Sequence, residues 1–135
     1  MTLILSEYQR KTEIDIQAVE EIGLLRSDPL FQFYESNEGH FSSSNTGFCF
    51  LDIATDPKTY WDQHRIVYEE YGIPRRYLVI SDLLGNAVLM YDTSTTAVYN
   101  VDFEGGDQML IEGTLEPYFK TLSEFLKWYF VEDNA

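Results

Sequence analysis

The sequence of 135 residues is short enough for one domain spanning 1–135, and long enough to bury a core without cross-links. Its 44% apolar content, with ten Tyr, nine Phe and two Trp, excludes a disordered chain, and the net charge of −14 argues against binding nucleic acid or an anionic membrane. The single cysteine excludes an internal disulfide, and no apolar run approaches the ~20 residues of a transmembrane helix, so we expect a soluble, cytoplasmic protein.

The first third of the chain predicts two helices. An apolar segment at 3–5 is a lead-in or an edge strand, and an incomplete apolar stripe over 13–25 predicts an amphipathic helix that ends at Gly23. Asp28 and Pro29 predict the start of a second helix, because Asp is a preferred N-cap and Pro fits the first helical turn. We expect the Asn-Glu-Gly sequence that follows to end this helix.

A strand and the clearest helix are predicted next. Apolar residues over 47–53 predict a strand. The Asp-Pro pair at 56–57 repeats the helix-start pattern, and the helix predicted over 57–71 carries aromatic side chains at a spacing of about 3.6 residues. Gly72 suits the position after this helix, and Pro74 prevents its continuation. We expect the aromatic stripe to pack on a sheet rather than to bind a cofactor.

The centre of the fold is predicted over 77–103, where three strand-like runs are joined by two polar turns. The first two runs are almost entirely apolar, which is typical of strands that are covered on both faces. Gly85 and Asn86 suit a hairpin turn because both residues accept a positive φ. We therefore predict an α+β domain with a mainly antiparallel sheet, formed by this meander and the preceding strand and packed by helices.

The last third of the chain begins with a stretch rich in glycine and acidic residues. Residues 104–116 are predicted as loop, with a short strand at 108–111. Thr121 and Glu124 form the Thr-Leu-Ser-Glu pattern of a capping box, which predicts the start of a C-terminal helix. The final residues, 131–135, are expected to be a frayed acidic tail.

Nucleophilic catalysis finds little support in the sequence. The two histidines, His40 and His64, fall in a polar loop and on a helix, and there is no Gly-x-Ser-x-Gly motif. Cys49 lies in an apolar run and is interpreted as a buried hydrophobic residue rather than a reactive thiol. Carboxylate pairs are too common in an acidic protein to select one for glycoside hydrolysis. We therefore predict that the protein is not an enzyme and has no cofactor.

Metal binding is also not predicted. The histidines and the cysteine lack the local spacing of a transition-metal site. Asp102, Glu104 and Asp107 surround two glycines and offer oxygen ligands for calcium, but the stretch lacks the EF-hand spacing, and a solvated acidic loop is the favoured interpretation. An ion-binding protein or an enzyme remains an alternative that a calcium-dependent rise in melting temperature would support.

Four stretches resemble a known family. They are DPLFQFYESNEG at 28–39, GFCFLD at 47–52, IPRRYLVISDLLGNAVLMYDTSTTAVYNVD at 73–102 and TLSEFLKWYF at 121–130. In order and in their turn and strand residues they resemble the SUKH (SMI1/KNR4) superfamily, and the resemblance extends over about 14–130.

The resemblance implies an α+β domain without a catalytic site. Many bacterial members of that superfamily are immunity proteins, cytoplasmic antidotes that bind and block a cognate toxin domain, often a nuclease, from polymorphic or contact-dependent toxin systems. Other members are partner-binding regulators in fungi. The implied partner is therefore a basic toxin protein domain. We expect neither nucleic acid nor a membrane as a partner, and we expect the protein to be a monomer or a weak dimer. A non-catalytic adaptor or regulatory binding module of the same fold is the alternative.

The charge distribution predicts where such a partner would bind. Between Arg76 and Lys120 the sequence contains no Lys or Arg. An acidic surface in this region would attract a basic protein, whereas the plainer alternative is that the acidity serves only solubility. We predict that the partner-binding surface includes Asp82, Asp92, Asp102, Glu104, Asp107 and Glu112.

Overall fold

A computed structural model describes residues 5–131 and places the chain in the α+β class. The predicted segments 3–5 and 131–135 lie outside this range, except for Leu5 and Val131. In chain order the elements are a 3₁₀ helix Ser6–Tyr8, α1 Ile16–Glu21, α2 Pro29–Ser36, α3 Pro57–His64, α4 Ile66–Glu69, β1 Tyr77–Val79, β2 Ala87–Asp92, β3 Val98–Asp102, α5 Gly106–Glu112 and α6 Leu122–Phe130.

The sheet is the predicted three-stranded meander. Its strand order is β1-β2-β3, and both pairings are antiparallel. In register, Tyr77 of β1 lies opposite Asp92 of β2, while Ala87 at the start of β2 lies opposite Asp102 of β3. Every residue of β2 after Ala87 is buried, as is all of β1. The prediction of strands covered on both faces is confirmed.

The predicted helix starts are confirmed by their cap hydrogen bonds. The Asp28 carboxylate accepts from the Leu30 amide at 2.8 Å at the start of α2, and Asp56 performs the same function for α3. At α6 the Thr121 hydroxyl accepts from the Glu124 amide at 3.2 Å, and the Glu124 carboxylate reaches back to the backbone just before the cap. These short-range bonds satisfy amides that have no acceptor within the helix.

The strand predicted over 47–53 is wrong. Among the described residues this segment makes one antiparallel bridge, between Phe50 and Ser81, which follows β1. Two backbone hydrogen bonds accompany this bridge, from the Leu51 amide to the Ile80 carbonyl at 2.8 Å and from the Asp82 amide to the Cys49 carbonyl at 3.1 Å. Side-chain acceptors take other amides of the segment. The Cys49 amide donates to the Asp82 carboxylate at 2.8 Å, and the Phe50 amide donates to the Tyr129 hydroxyl at 3.0 Å. The segment is therefore held by two backbone hydrogen bonds and by side chains, without a continuous strand ladder.

The helix predicted over 57–71 is interrupted at Arg65 and forms α3 and α4. Tyr60 of α3 donates a hydrogen bond to the Val79 carbonyl and Tyr68 of α4 donates to the Tyr77 carbonyl, each at 2.6 Å. In an unbroken helix two residues eight apart would differ by about 80° around the axis. Both tyrosines reach carbonyls of the same short strand, so the aromatic stripe packs on the sheet as predicted.

One other helix prediction and one strand prediction need correction. α1 covers only Ile16–Glu21 of the predicted 13–25, and Gly23, with a φ of 106°, follows its end. The strand predicted at 108–111 is wrong, because this segment belongs to α5, which ends at Gly113 with a φ of 77°. Within residues 5–131, no helix has both the length and the apolar character needed to cross a membrane.

The core on one side of the sheet is largely aromatic. Phe41 and Phe50 stack with ring centroids 5.1 Å apart, and Phe125 meets Phe50 edge-on at 5.2 Å. Tyr34 and Tyr129 are buried in the same cluster and use their hydroxyls on nearby backbone groups. Such rings bury large apolar areas while their polar tips remain satisfied. This cluster joins α2 and α6 to the segment at 47–53.

A buried ion pair ties the N-terminal segment to the middle of the chain. The Arg10 side chain is 4% exposed, and its Nη2 donates to both carboxylate oxygens of Asp52 at 3.1 Å. Arg10 also donates to the Tyr34 carbonyl, to Thr12 Oγ1 at 3.0 Å and to Thr55 Oγ1 at 3.3 Å. Because Arg10 lies 42 residues from Asp52 and 24 residues from Tyr34 in the chain, the sequence alone gave no sign of this network.

Candidate functional site

One end of the sheet gathers most of the predicted acidic residues. The β1–β2 turn lies beside the end of β3, because Ala87 is opposite Asp102 and the Phe103 amide donates to the Asn86 carbonyl at 3.0 Å. α5 begins directly after this point and packs against β3. We call this the acidic end of the sheet; its carboxylates are Asp82, Asp102, Glu104 and Asp107. The predicted Glu112 is exposed at the last residue of α5, the helix that begins at this end.

Three of these carboxylates also hold the local backbone. Asp82 accepts from the Cys49 amide at 2.8 Å. Asp102 accepts from the amides of Glu104 at 3.0 Å and Gly106 at 3.2 Å, which caps the start of α5. Asp107 accepts from the Gly105 amide at 3.3 Å. A side chain fixed in this way presents its negative charge in a defined position, but replacing it also disturbs the fold.

Asp92 does not belong to this surface, which corrects the predicted site. It lies at the opposite end of β2 and is 0% exposed. Its Oδ1 accepts from the Ser94 amide at 2.8 Å and from the Ser94 hydroxyl at 2.6 Å. Its Oδ2 lies 3.5 Å from Nη2 of Arg76 but has no hydrogen bond. Asp92 therefore shapes the β2–β3 turn and is inaccessible to a partner protein.

Among residues 5–131, no Lys, Arg or His forms an ion pair with a carboxylate of the acidic end. Within residues 5–131 the ion pairs join Arg10 to Asp52, Arg26 to Glu35, Arg65 to Glu69 and Arg76 to Asp92. None of these pairs includes a carboxylate of the acidic end. Unpaired surface carboxylates repel one another, so this end of the sheet carries a negative field that a cationic partner would neutralise.

Exposed apolar side chains accompany these charges. Leu83 and Leu84 lie in the β1–β2 turn next to Asp82. On α5 the exposed Met109 and Ile111 flank the buried Leu110, about 100° to either side of it around the helix. Apolar groups among charges are typical of protein-binding surfaces, where a dry centre is surrounded by a polar rim. The charge pattern of the sequence gave no indication of these apolar side chains.

Both histidines and the cysteine line one cleft of about 280 Å³, a grouping that the sequence analysis also missed. Burial lowers the pKa of His64, whose Nδ1 lies 2.8 Å from the Tyr60 carbonyl and therefore carries the proton. Cys49 is half-buried, and burial, followed by the Asp82 charge, raises the pKa of its thiol. A protonated thiol is a poor nucleophile, and no group of three His, Cys, Asp or Glu among the described residues could hold a metal ion.

The chain was also compared with known proteins. No family model matches it, and neither a curated protein nor a solved structure is significantly similar to it. The resemblance to the SUKH superfamily therefore stays a prediction, and the function rests on the properties of the acidic end.

Proposed function

We propose that this protein is an immunity protein, which binds and neutralises a basic bacterial toxin domain through the acidic end of its sheet. A nuclease is the toxin class that this charge favours. The observation that carries the proposal is the grouping of Asp82, Asp102, Glu104 and Asp107 around exposed leucines, with no ion pair to any of these carboxylates from residues 5–131. The proposed toxin acts in the cytoplasm, where its antidote would have to be present.

Electrostatics supports a nuclease in particular. A nuclease is basic where it binds phosphates, so an acidic inhibitor is complementary to the surface that has to be blocked. Charge complementarity raises association rates from ordinary values of about 10⁵–10⁶ M⁻¹s⁻¹ toward 10⁸–10⁹ M⁻¹s⁻¹ at low salt. Fast association favours an antidote, because a free toxin is harmful until it is bound.

The first test is co-expression with the toxin domain encoded beside this gene. We expect rescue of growth, a stable complex in a pull-down, and loss of toxin activity when the purified proteins are mixed. The alternative of an adaptor module would gain support if no toxin gene lies beside this one, or if the encoded domain neither binds nor is inhibited.

The charge variant that tests the surface is Glu104→Lys/Glu112→Lys. Both side chains are exposed, and neither makes a side-chain hydrogen bond or ion pair to the described residues, so the fold should persist. We expect a fall in association rate of about tenfold or more at low salt, which shrinks as salt screens the charges.

The matched control is Glu13→Lys/Glu21→Lys, which changes the net charge by the same amount. Both control residues are exposed, and α1 ends near Arg75 and Leu78 at the start of β1, away from the acidic end. If both double variants slow association equally, net charge alone is responsible. If neither does so, the acidic end is not the binding surface.

A further inference from the structure

We propose that the β1–β2 hairpin tip, residues 82–86, is the anchor of the interface, and that the partner offers an apolar recess edged with Lys or Arg. This inference rests on the proposed function and adds which side chains enter the toxin domain. It concerns Leu83 and Leu84, which the sequence analysis treated only as part of a turn.

The hairpin tip is held rigidly before any partner arrives. Leu84 and Ala87 exchange both backbone hydrogen bonds, at 2.9 and 3.1 Å, around the turn residues Gly85 and Asn86. Gly85 has a φ of 60°, whereas Asn86 has no positive φ, which is the pattern of a type II′ turn. A rigid turn loses little conformational entropy on binding, so apolar contacts made there are retained in the affinity.

The two leucines project from this turn into solvent. Leu83 is 60% exposed and Leu84 is 45% exposed. One side of Leu84 rests on Gly47, where a built Cβ would lie only 3.3 Å from Leu84 Cδ2. The turn itself needs only Gly85 and a residue such as Asn86, so neither leucine is required to form it. Single exposed leucines are ordinary, but two adjacent leucines on a rigid tip form a projecting apolar surface.

The surrounding charges define what can cover this surface. Asp82 precedes the leucines and is fixed by the Cys49 amide, while Asp102 and Glu104 lie beside the turn at the end of β3. An apolar anchor within a charged rim is the arrangement of strong protein interfaces, where central side chains fill pockets from which the rim excludes water. Here the rim is acidic, so the complementary recess is basic. An anionic membrane or a second copy of this acidic chain would be repelled.

The test uses the toxin domain encoded beside the gene, purified as a catalytically inactive variant. Leu83→Ala/Leu84→Ala should raise the Kd roughly 30-fold or more, mainly through faster dissociation, because hot-spot side chains act after the complex has formed. By contrast, Glu104→Lys/Glu112→Lys should act mainly on the association rate. The two sets of variants therefore give different kinetic signatures.

The matched control is Leu25→Ala. Leu25 is 57% exposed, almost the same as Leu83, but it follows α1 rather than lying at the acidic end. This substitution should leave the Kd unchanged within about twofold, as expected for a residue outside the interface. Because Leu84 also contacts Gly47, the single variant Leu83→Ala is measured as well, and urea unfolding shows whether each variant is folded.

The possible outcomes distinguish a failure of the hairpin-tip inference from a failure of the proposed function. If the hairpin and control variants weaken binding to the toxin domain equally, or if neither weakens it, the inference is overturned. In that case, complex formation by the unaltered protein still upholds the proposed function. Failure of the unaltered protein to bind the toxin domain, or the absence of such a gene, overturns both. If the protein binds anionic vesicles and Leu83→Ala abolishes this binding, the hairpin tip is a membrane site instead. If the protein dimerises with concentration and Leu83→Ala abolishes dimerisation, the tip contacts a second copy instead.

Discussion

Replacing Arg10 with alanine removes the cation from a carboxylate that is itself almost wholly buried. The Asp52 side chain is 10% exposed, and it receives two hydrogen bonds of 3.1 Å from Arg10 Nη2. The same guanidinium also bonds two threonine hydroxyls and the Tyr34 carbonyl. Arg10→Ala therefore removes the side-chain link between the N-terminal segment and the residues that precede α3, while the backbone bonds of Arg10 to Ser36 and of Glu38 to Tyr8 remain.

The expected loss of stability can be worked out from what remains. Removing one partner of a buried ion pair costs about 3–5 kcal/mol, because the other charge stays buried without compensation. Asp52 would still accept from the amides of Gly39 at 3.0 Å, Ala54 at 3.2 Å and Thr55 at 3.2 Å, and from the Thr55 hydroxyl at 2.6 Å. These donors favour the lower limit, so we expect a loss of about 3 kcal/mol, which lowers the melting temperature by roughly 10 °C.

Urea unfolding followed by fluorescence measures this loss directly, with the slope m checked for constancy. The matched control is Arg26→Ala, because Arg26 pairs with Glu35 at 3.4 Å in a setting where their side chains are 61% and 37% exposed. An exposed pair contributes no more than about 1 kcal/mol. Equal losses for Arg10→Ala and Arg26→Ala would refute the argument that burial gives the Arg10 pair its importance.

Two further predictions concern the hydroxyl group of Tyr129 and the carboxyl group of Asp28. Tyr129→Phe should cost about 1–3 kcal/mol, because the buried Phe50 amide loses its acceptor, whereas Tyr118→Phe at an exposed ring should be neutral in the same urea experiment. Burial raises the pKa of Asp28, despite hydrogen bonds from Tyr91 and the backbone, so the stability tied to its protonated form is present at low pH and is lost as pH rises through the folded-state pKa. Asp28→Asn keeps an acceptor for both donors. Its stability relative to the unaltered protein should therefore increase as pH rises from about 3 to about 7, and a relative decrease over that range would contradict the assignment.

Of the candidate site, the sequence predicted the charge but not its arrangement. The absence of Lys and Arg between Arg76 and Lys120 pointed to the acidic end of the sheet, and the antiparallel register then brought Asp82 and Asp102 to the same end. Asp92 carries the same charge in the sequence, yet its position in the register places it at the opposite end and buries it. The apolar members of the surface gave no signal, since an exposed leucine cannot be distinguished from a core leucine by residue type.

The sequence by itself determined the features that depend on neighbours a few residues away. The caps of α2, α3 and α6, the glycine turn of the first hairpin and the three-strand meander all follow from contacts at short range. The tertiary structure alone decided the conformation of the segment at 47–53, where the amides of Cys49 and Phe50 donate to the side chains of Asp82 and Tyr129. It also decided the pairing of Arg10 with Asp52. These contacts join residues far apart in the chain, so their free energies depend on the folded core rather than on local propensity.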